Sequence, residues 1–125
     1  MQTIDAKSEL TPELIQGLRE ALERSGGTHT IQDVVDALRN GEAQVWVKDS
    51  AVLVTEVLAM PRALVLHFWL AAGELEPVIA LSRDVLAWGK EQGCTGATLT
   101  GRPGWKRALA SEGWSSDLIM MTREF

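Results

Sequence analysis

The most apolar stretch of the chain goes from Ala51 to Gly73, and two ionisable residues interrupt its two apolar runs on either side of the turn at Arg62. Glu56 lies in its first half and His67 in its second half. A carboxylate or an imidazole on an interior strand costs free energy unless it is paired or used. Either group could accept a proton from an attacking amine, because histidine has a pKa near neutrality and burial raises the pKa of a carboxyl group. His67 and Glu56 are therefore candidate general bases, with a hydrogen-bonded core histidine and a solvated or ion-paired glutamate as the alternatives.

A glycine-rich loop that carries basic and aromatic residues offers a second kind of chemistry. Gly101-Arg102-Pro103-Gly104 leads into Trp105, and Arg107 follows two residues later. A guanidinium and an indole beside such a loop supply hydrogen-bond donors and a stacking surface for an anionic or planar ligand. The alternative is that Trp105 packs under a tight turn while the arginines stay in water.

The elements that must position His67 and Glu56 are two strands joined by a turn. Met60-Pro61-Arg62 predicts the turn, because proline presets φ for it. The flanking runs, residues 52–58 and 64–72, are apolar on both alternation phases, which predicts a hairpin covered on two faces inside a sheet. Whether Glu56 and His67 share a face depends on the register, which the sequence leaves open.

Capping residues and helical periodicity predict the other helices, and period-two alternation predicts the other strands. The helices are expected after Thr11 to about Arg24, after Thr30 to about Asn40, from about Leu75 to Gln92, and from Trp105 to Ser111. Further strands are expected over residues 44–48, 94–100 and 114–125, with a short one around 2–4.

This order, α-α-β-β-β-α-β-α-β, predicts a single α+β domain over residues 1–125. The long helix is a crossover that places strand 94–100 parallel to strand 64–72. The expected architecture has three layers, with helices flanking a twisted, mixed but mostly antiparallel sheet.

Composition excludes several classes of function. The 125 residues are 46% hydrophobic and 23% charged, which is typical of one globular domain. A net charge of −5 without a Lys/Arg cluster disfavours nucleic acid as a partner, and no apolar run is long enough to span a membrane. One cysteine and two distant histidines give no intrachain disulfide and no metal-ligand spacing. A soluble intracellular protein without a metal is expected.

The order of elements, together with the run from Gly101 to Leu109 leading into Glu112-Gly113-Trp114, resembles the GNAT superfamily of N-acetyltransferases. More narrowly, Ser25-Gly-Gly-Thr-His-Thr, the Pro61-Arg62 turn, His67-Phe-Trp and the Gly-Arg-x-Gly-Trp loop are similar to small GNAT-like proteins of tailed bacteriophages and prophages. Most of those proteins have no settled function.

The resemblance implies transfer of an acetyl group from acetyl-CoA to an amine, with His67 or Glu56 accepting the proton. In that superfamily the pantetheine arm lies where the fourth strand splays from the fifth. The resemblance places the cofactor against Leu70, Ala71, Ala72 and Gly73 of the second hairpin strand, and against Arg102, Gly104 and Trp105 of the loop. The acceptor would be a small-molecule or protein amine.

The sequence departs from the family at the signature that binds the pyrophosphate, Arg/Gln-x-x-Gly-x-Gly/Ala. Glu74 and Glu76 stand where phosphates should meet a positive helix end, and Pro77 removes an amide donor. The alternative is therefore a non-catalytic GNAT-fold phage or prophage protein that binds a phage or host protein. Its location would be the host cytoplasm or the virion. Exposed aromatic residues and an open hairpin edge would also allow a homo-oligomer.

Overall fold

The structure, a computed structural model, describes residues 10–125, so the strand expected around residues 2–4 lies outside the described residues. The helices are α1 (Pro12–Arg24), α2 (Ile31–Arg39), α3 (Leu75–Glu91) and α4 (Trp105–Ala110). The strands are β1 (Gln44–Lys48), β2 (Ala51–Met60), β3 (Ala63–Gly73) and β4 (Gly96–Leu99). The order expected from the sequence is confirmed as far as α4.

The sheet has the strand order β1-β2-β3-β4. β1, β2 and β3 are antiparallel neighbours, and β4 runs parallel to β3 after the crossover through α3. The α+β class and the mostly antiparallel sheet are therefore confirmed. The β2–β3 hairpin lies between β1 and β4, but β1 pairs only with residues 51–55 of β2 and β4 only with residues 65–68 of β3. Each edge of the hairpin is therefore covered over only part of its length by strands within residues 10–125.

Helices cover both faces of the sheet, because each long helix carries one apolar stripe. The thirteen-residue α1 buries Leu14, Leu18 and Leu22 in one cluster, which also contains Val34 of α2. On the opposite face α3 buries residues such as Leu81 in a second cluster. The sheet thus separates two apolar cores.

A bulge at Trp69 lets β3 contribute to both cores. Thr55 pairs with Phe68 and Val54 pairs with Leu70, which leaves Trp69 without a partner on β2. The extra residue reverses the alternation, so that Phe68 packs on the α3 side while Leu70 packs on the α1 side. Each side chain of β3 after the bulge therefore points to the face opposite to the one that simple alternation predicts.

Residues 52–58 of β2 were predicted to be buried on both faces of the sheet, but only the first half of the strand is. Residues 51–55 are buried, whereas Glu56 and the residues up to Met60 are partly or fully exposed. The five-residue β1 pairs only with the buried half, and α1 and α2 pack over that same half. The buried Thr55 hydroxyl accepts from Trp46 Nε1 at 2.8 Å and donates to Gln44 Oε1 at 2.9 Å.

The predicted strand over residues 114–125 is wrong. Trp114 packs edge-on against Phe68, with ring centroids 5.6 Å apart. Residues 115–125 form neither helix nor strand, and their side chains are exposed. The run Leu118 to Met121 is apolar without alternation, so its pattern alone does not choose a buried face.

Candidate active site

The candidate site is built around the point where β3 and β4 separate. Their parallel pairing runs from Val65 opposite Gly96 to Phe68 opposite Leu99. Beyond Phe68, β3 continues to Gly73 with no partner strand on that side within residues 10–125. The backbone of residues 69–73 therefore offers hydrogen-bonding groups along an open edge.

A narrow apolar cleft of about 60 Å³ lies at this separation. Its wall on β3 includes Leu70 and Ala71, and Leu99, Trp105 and Trp114 lie across from them. The hydroxyl of Ser82, which also lines the cleft, is satisfied because it donates to the carbonyl oxygen of Ile79 at 2.6 Å. The cleft suits a thin, largely apolar chain better than a bulky ligand, since pockets for drug-sized molecules are several times larger.

The wall formed by α4 is tied to α3 through a two-pronged ion pair. Arg83 Nε lies 2.7 Å from Glu112 Oε1, and Arg83 Nη2 lies 3.0 Å from Glu112 Oε2. These hydrogen bonds lower the pKa of Glu112 and raise the pKa of Arg83. The pair fixes the end of α4 next to the cleft without entering it.

Only some of the residues expected at the cofactor line the cleft. Leu70, Ala71 and Trp105 do. Ala72 belongs to the opposite core, where α1 approaches so closely that a Cβ on Gly17 would lie 2.6 Å from Ala72 Cβ. Arg102 and Gly104 are exposed and do not line it.

Gly73 also lies outside the cleft lining and has a steric role in the sheet. Its φ is +119°, in the region that favours glycine. A Cβ there would collide with the carbonyl oxygen of Ser50 and would lie 2.9 Å from Ala51 Cα. Only glycine fits where β3 ends beside the start of β2.

The start of α3 is a poor binding site for a diphosphate. Glu74 is the N-cap but its side chain makes no capping hydrogen bond, and Glu76 lies in the first turn. The N–H of Val78 already bonds to the carbonyl of Glu74, and Pro77 has none, which leaves the amides of Leu75 and Glu76. The residues present thus fit the thin arm of a CoA thioester in the cleft and oppose its diphosphate at this helix end.

Glu56, His67 and Thr98 form one row across three strands. Glu56 is the direct partner of His67 across β2 and β3, and Thr98 is the partner of His67 across β3 and β4. His67 Nδ1 lies 2.8 Å from Thr98 Oγ1. The structure therefore brings the two candidate bases together on one face of the sheet.

Burial and charge act on His67 in opposite directions. Partial burial lowers its pKa, and the carboxylate of Glu56 opposes this shift without cancelling it. The net result is a pKa below the ordinary histidine value. His67 is therefore mostly neutral at neutral pH, the state in which an imidazole can accept a proton.

His67 stands beside the cleft rather than in it. It precedes Phe68, the last β3 residue paired with β4, and alternation turns its side chain away from the α3 face that Phe68 occupies. α1 and α2 cover that side only farther along β3, and His67 stays partly exposed. The imidazole is thus accessible from the face of the sheet opposite α3, one residue before the pairing of β3 with β4 ends.

Three further residues of this region escaped sequence reasoning: His29, Trp69 and Thr98. Trp69, at the bulge, lines the cleft and contacts the ring of His29 edge-on, with centroids 5.1 Å apart. His29 borders an open depression of about 240 Å³ between α1 and the start of α2, which also involves Arg19 and Glu23. Thr98 could not be predicted from the sequence, because its contact with His67 depends on the register between β3 and β4.

Within the part of the chain that the structure describes, no three His, Cys, Asp or Glu side chains are grouped so that they could hold a metal ion. Over the same residues, none of the helices combines the length and the apolar character needed to cross a bilayer.

Comparison with known proteins identifies the fold. No protein-family model and no curated protein sequence matches the chain. Among solved structures, an acetyltransferase of Trypanosoma brucei is 12% identical with a TM-score of 0.64, covering 89% of this chain and 94% of its own. A probable acetyltransferase is 10% identical with a TM-score of 0.65, covering 90% and 88%. A Thermus thermophilus protein is 20% identical with a TM-score of 0.61, covering 92% and 95%.

At these identities the likeness concerns architecture and not activity. The mixed, mostly antiparallel sheet between helices is what the GNAT resemblance implied, and that expectation is confirmed. The chain has a GNAT-like fold, shared over most of its length with solved acetyltransferases.

Proposed function

We propose that the protein is an acetyl-CoA-dependent N-acetyltransferase in which His67 accepts the proton of the acceptor amine. The observation that carries this proposal is the separation of β3 from β4 directly beside the row of Glu56, His67 and Thr98. An apolar cleft for a thioester and a neutral imidazole thus lie within one residue of each other along β3. The fold shared with solved acetyltransferases supports the same class of reaction.

The cleft residues would hold the acyl end of the donor. Acetyl-CoA, when bound, supplies the activated acetyl group. The apolar side chains of Ala71 and Trp105 exclude water from it, whereas the side chain of Leu70 packs in the core on the α1 side. The unpaired backbone N–H groups of β3, where Leu70 also lines the cleft, can donate to a carbonyl oxygen there. Because the carboxylates of Glu74 and Glu76 repel a negatively charged diphosphate at the start of α3, we expect the diphosphate to add little to the affinity for acetyl-CoA.

The hydrogen bond to Thr98 determines whether His67 can act as a base. Nδ1 must carry the hydrogen and donate it to Thr98 Oγ1, because the Nε2 lone pair is then available for the amine proton. The carboxylate of Glu56, opposite His67, stabilises the imidazolium that forms. Thr98 and Glu56 are positioning residues in this scheme.

The proposal is tested by following thiol release from acetyl-CoA with a panel of small amines and peptides. His67→Gln should lower kcat about 100-fold or more, the usual contribution of general base catalysis, while acetyl-CoA affinity stays within about threefold. Glu91→Gln is the control, since Glu91 is exposed at the end of α3 and belongs neither to the row nor to the cleft lining, and it should keep most of the activity. Equal losses in both variants, or full activity in His67→Gln, would contradict the assignment.

A non-catalytic, protein-binding role is the second candidate. The observation that favours it is the start of α3, where two carboxylates and a proline stand at the position expected to hold phosphates. The resemblance to phage and prophage proteins stays a prediction that belongs to this alternative, with a phage or host protein as partner. In this case acetyl-CoA would not bind.

A further inference from the structure

The half of the β2–β3 hairpin that leads to its turn carries a continuous apolar surface. Leu58 pairs with Val65, and Met60 pairs with Ala63. By alternation these four side chains lie on one face, opposite the face on which Leu66 packs in the α3-side core. Among residues 10–125, none of the four packs in either core, and all are partly or fully exposed. We call these four residues the hairpin face.

The hairpin face adjoins the row of candidate bases. Glu56 and His67 are the next cross-strand pair on the same face, two residues before Leu58 on β2 and two residues after Val65 on β3. At the usual rise of a strand, the two pairs of the hairpin face therefore lie roughly 7 and 14 Å from the row. α1 and α2 pack over the other half of β2, residues 51–55. A ligand whose reacting group meets His67 can thus lay its remaining atoms along the hairpin face.

Glu56 sets the charge of this surface. It is the only carboxylate on β2, β3 and β4, and these three strands contain no lysine or arginine. Within residues 10–125, no lysine or arginine forms a salt bridge with Glu56. Arg62, in the hairpin turn, is five residues from His67 along the chain, which is roughly 17 Å at the rise of a strand. The surface therefore attracts a cation and offers no partner to a carboxylate bound close to Glu56.

We propose that the acceptor is a small primary amine on an uncharged apolar arm, such as an alkylamine, with its ammonium group at Glu56 and its arm on the hairpin face. This inference rests on the proposed function, because it names the class of acceptor that the row takes. The ammonium group loses one proton to His67, its nitrogen bonds to the acetyl carbon as the carbon–sulfur bond breaks, and the thiolate leaves with the second proton. An amino acid does not belong to this class, because its carboxylate would lie beside Glu56.

The test is a methyl NMR titration of the full chain with amines, without acetyl-CoA, that follows the signals of Leu58 and Val65. Pentylamine should shift both signals to saturation and bind about tenfold more tightly than ethylamine, because three further methylene groups leave water. Norleucine, which is pentylamine with a carboxylate on the carbon that bears the amine, should bind about tenfold more weakly than pentylamine. Equal affinities for pentylamine and norleucine, or for pentylamine and ethylamine, overturn the inference.

A substitution on the hairpin face tests where the arm lies. Leu58→Ser should weaken pentylamine binding about fivefold and change ethylamine binding by less than about twofold, since only the longer arm reaches this position. Leu118→Ser is the matched control, because that leucine is 93% exposed, and should bind both amines as wild type does. Circular dichroism should show the wild-type fold in both variants, since neither leucine packs in the cores. A Leu58→Ser protein that still discriminates between the two amines as wild type does overturns the inference.

Thiol release from acetyl-CoA with the same amines separates this inference from the proposed function. Pentylamine should be acetylated with a kcat/KM about tenfold or more above that of norleucine. Binding of pentylamine at the hairpin face without any thiol release overturns the proposed function and leaves the amine site in place. Thiol release that favours norleucine or a lysine-containing peptide over pentylamine overturns the inference and leaves the proposed function in place.

Discussion

At the scale of single residues, His67 is set by its two neighbours in the row. Thr98 Oγ1 holds Nδ1 of the ring at 2.8 Å, and Glu56 supplies the charge that opposes the effect of burial on the pKa of His67. Sequence reasoning singled out Glu56 and His67 because both interrupt apolar strands. It could not pair them, because a shift of one residue in the register would turn either side chain to the other face.

Glu56→Gln should move the acidic limb of the rate profile to lower pH. The carboxylate of Glu56 raises the pKa of His67, so a neutral amide leaves the lowering by burial unopposed and the pKa falls further. A base must be unprotonated to act, and the limb follows the pKa of His67. NMR titration of the His67 ring should show the same direction. A limb that moves to higher pH, or stays fixed while the ring pKa falls, would remove His67 from the proton transfer.

At the scale of elements, the sequence predicted those features that depend on neighbouring residues alone, such as helix caps and turns. Thr30 caps the start of α2 as the sequence predicts, and Asp33 Oδ2 completes a capping box because it accepts from the Thr30 N–H at 2.8 Å. The hairpin follows from its Pro61 turn in the same way. The bulge at Trp69 and the unpaired segment after Trp114 were missed, because both depend on how strands meet and not on their own residues.

Gly73→Ala should destabilise the protein by roughly 2–4 kcal/mol, since it combines a positive φ with a collision against the Ser50 carbonyl. Urea unfolding measures the change. Gly104→Ala is the control, because its φ is −61° and nothing lies within 4 Å of an added Cβ. That variant should stay within about 0.5 kcal/mol of wild type. Similar losses in both would show that the close approach of β3 to Ser50 is not what requires glycine.

At the scale of the whole molecule, the order of elements was enough to predict the layers but not the cleft. The parallel placement of β4 follows from the crossover through α3. Where β3 and β4 part depends on the four-residue length of β4 and on α4 packing beyond it, and neither can be read from spacing. Of the residues that the resemblance places at the cofactor, Leu70, Ala71 and Trp105 line the cleft, together with Trp69 and Trp114. The others, which do not line it, are Ala72, Gly73, Arg102 and Gly104.

Calorimetric titration with acetyl-CoA tests whether the cleft between β3 and β4 holds its thioester. Wild type should bind acetyl-CoA with a Kd in the micromolar range. Ala71→Leu, which fills the cleft, should weaken that binding at least tenfold. Ala80→Leu on the exposed side of α3 should leave it unchanged. No heat at millimolar acetyl-CoA, or binding that Ala71→Leu does not disturb, would show that the cleft between β3 and β4 does not hold acetyl-CoA.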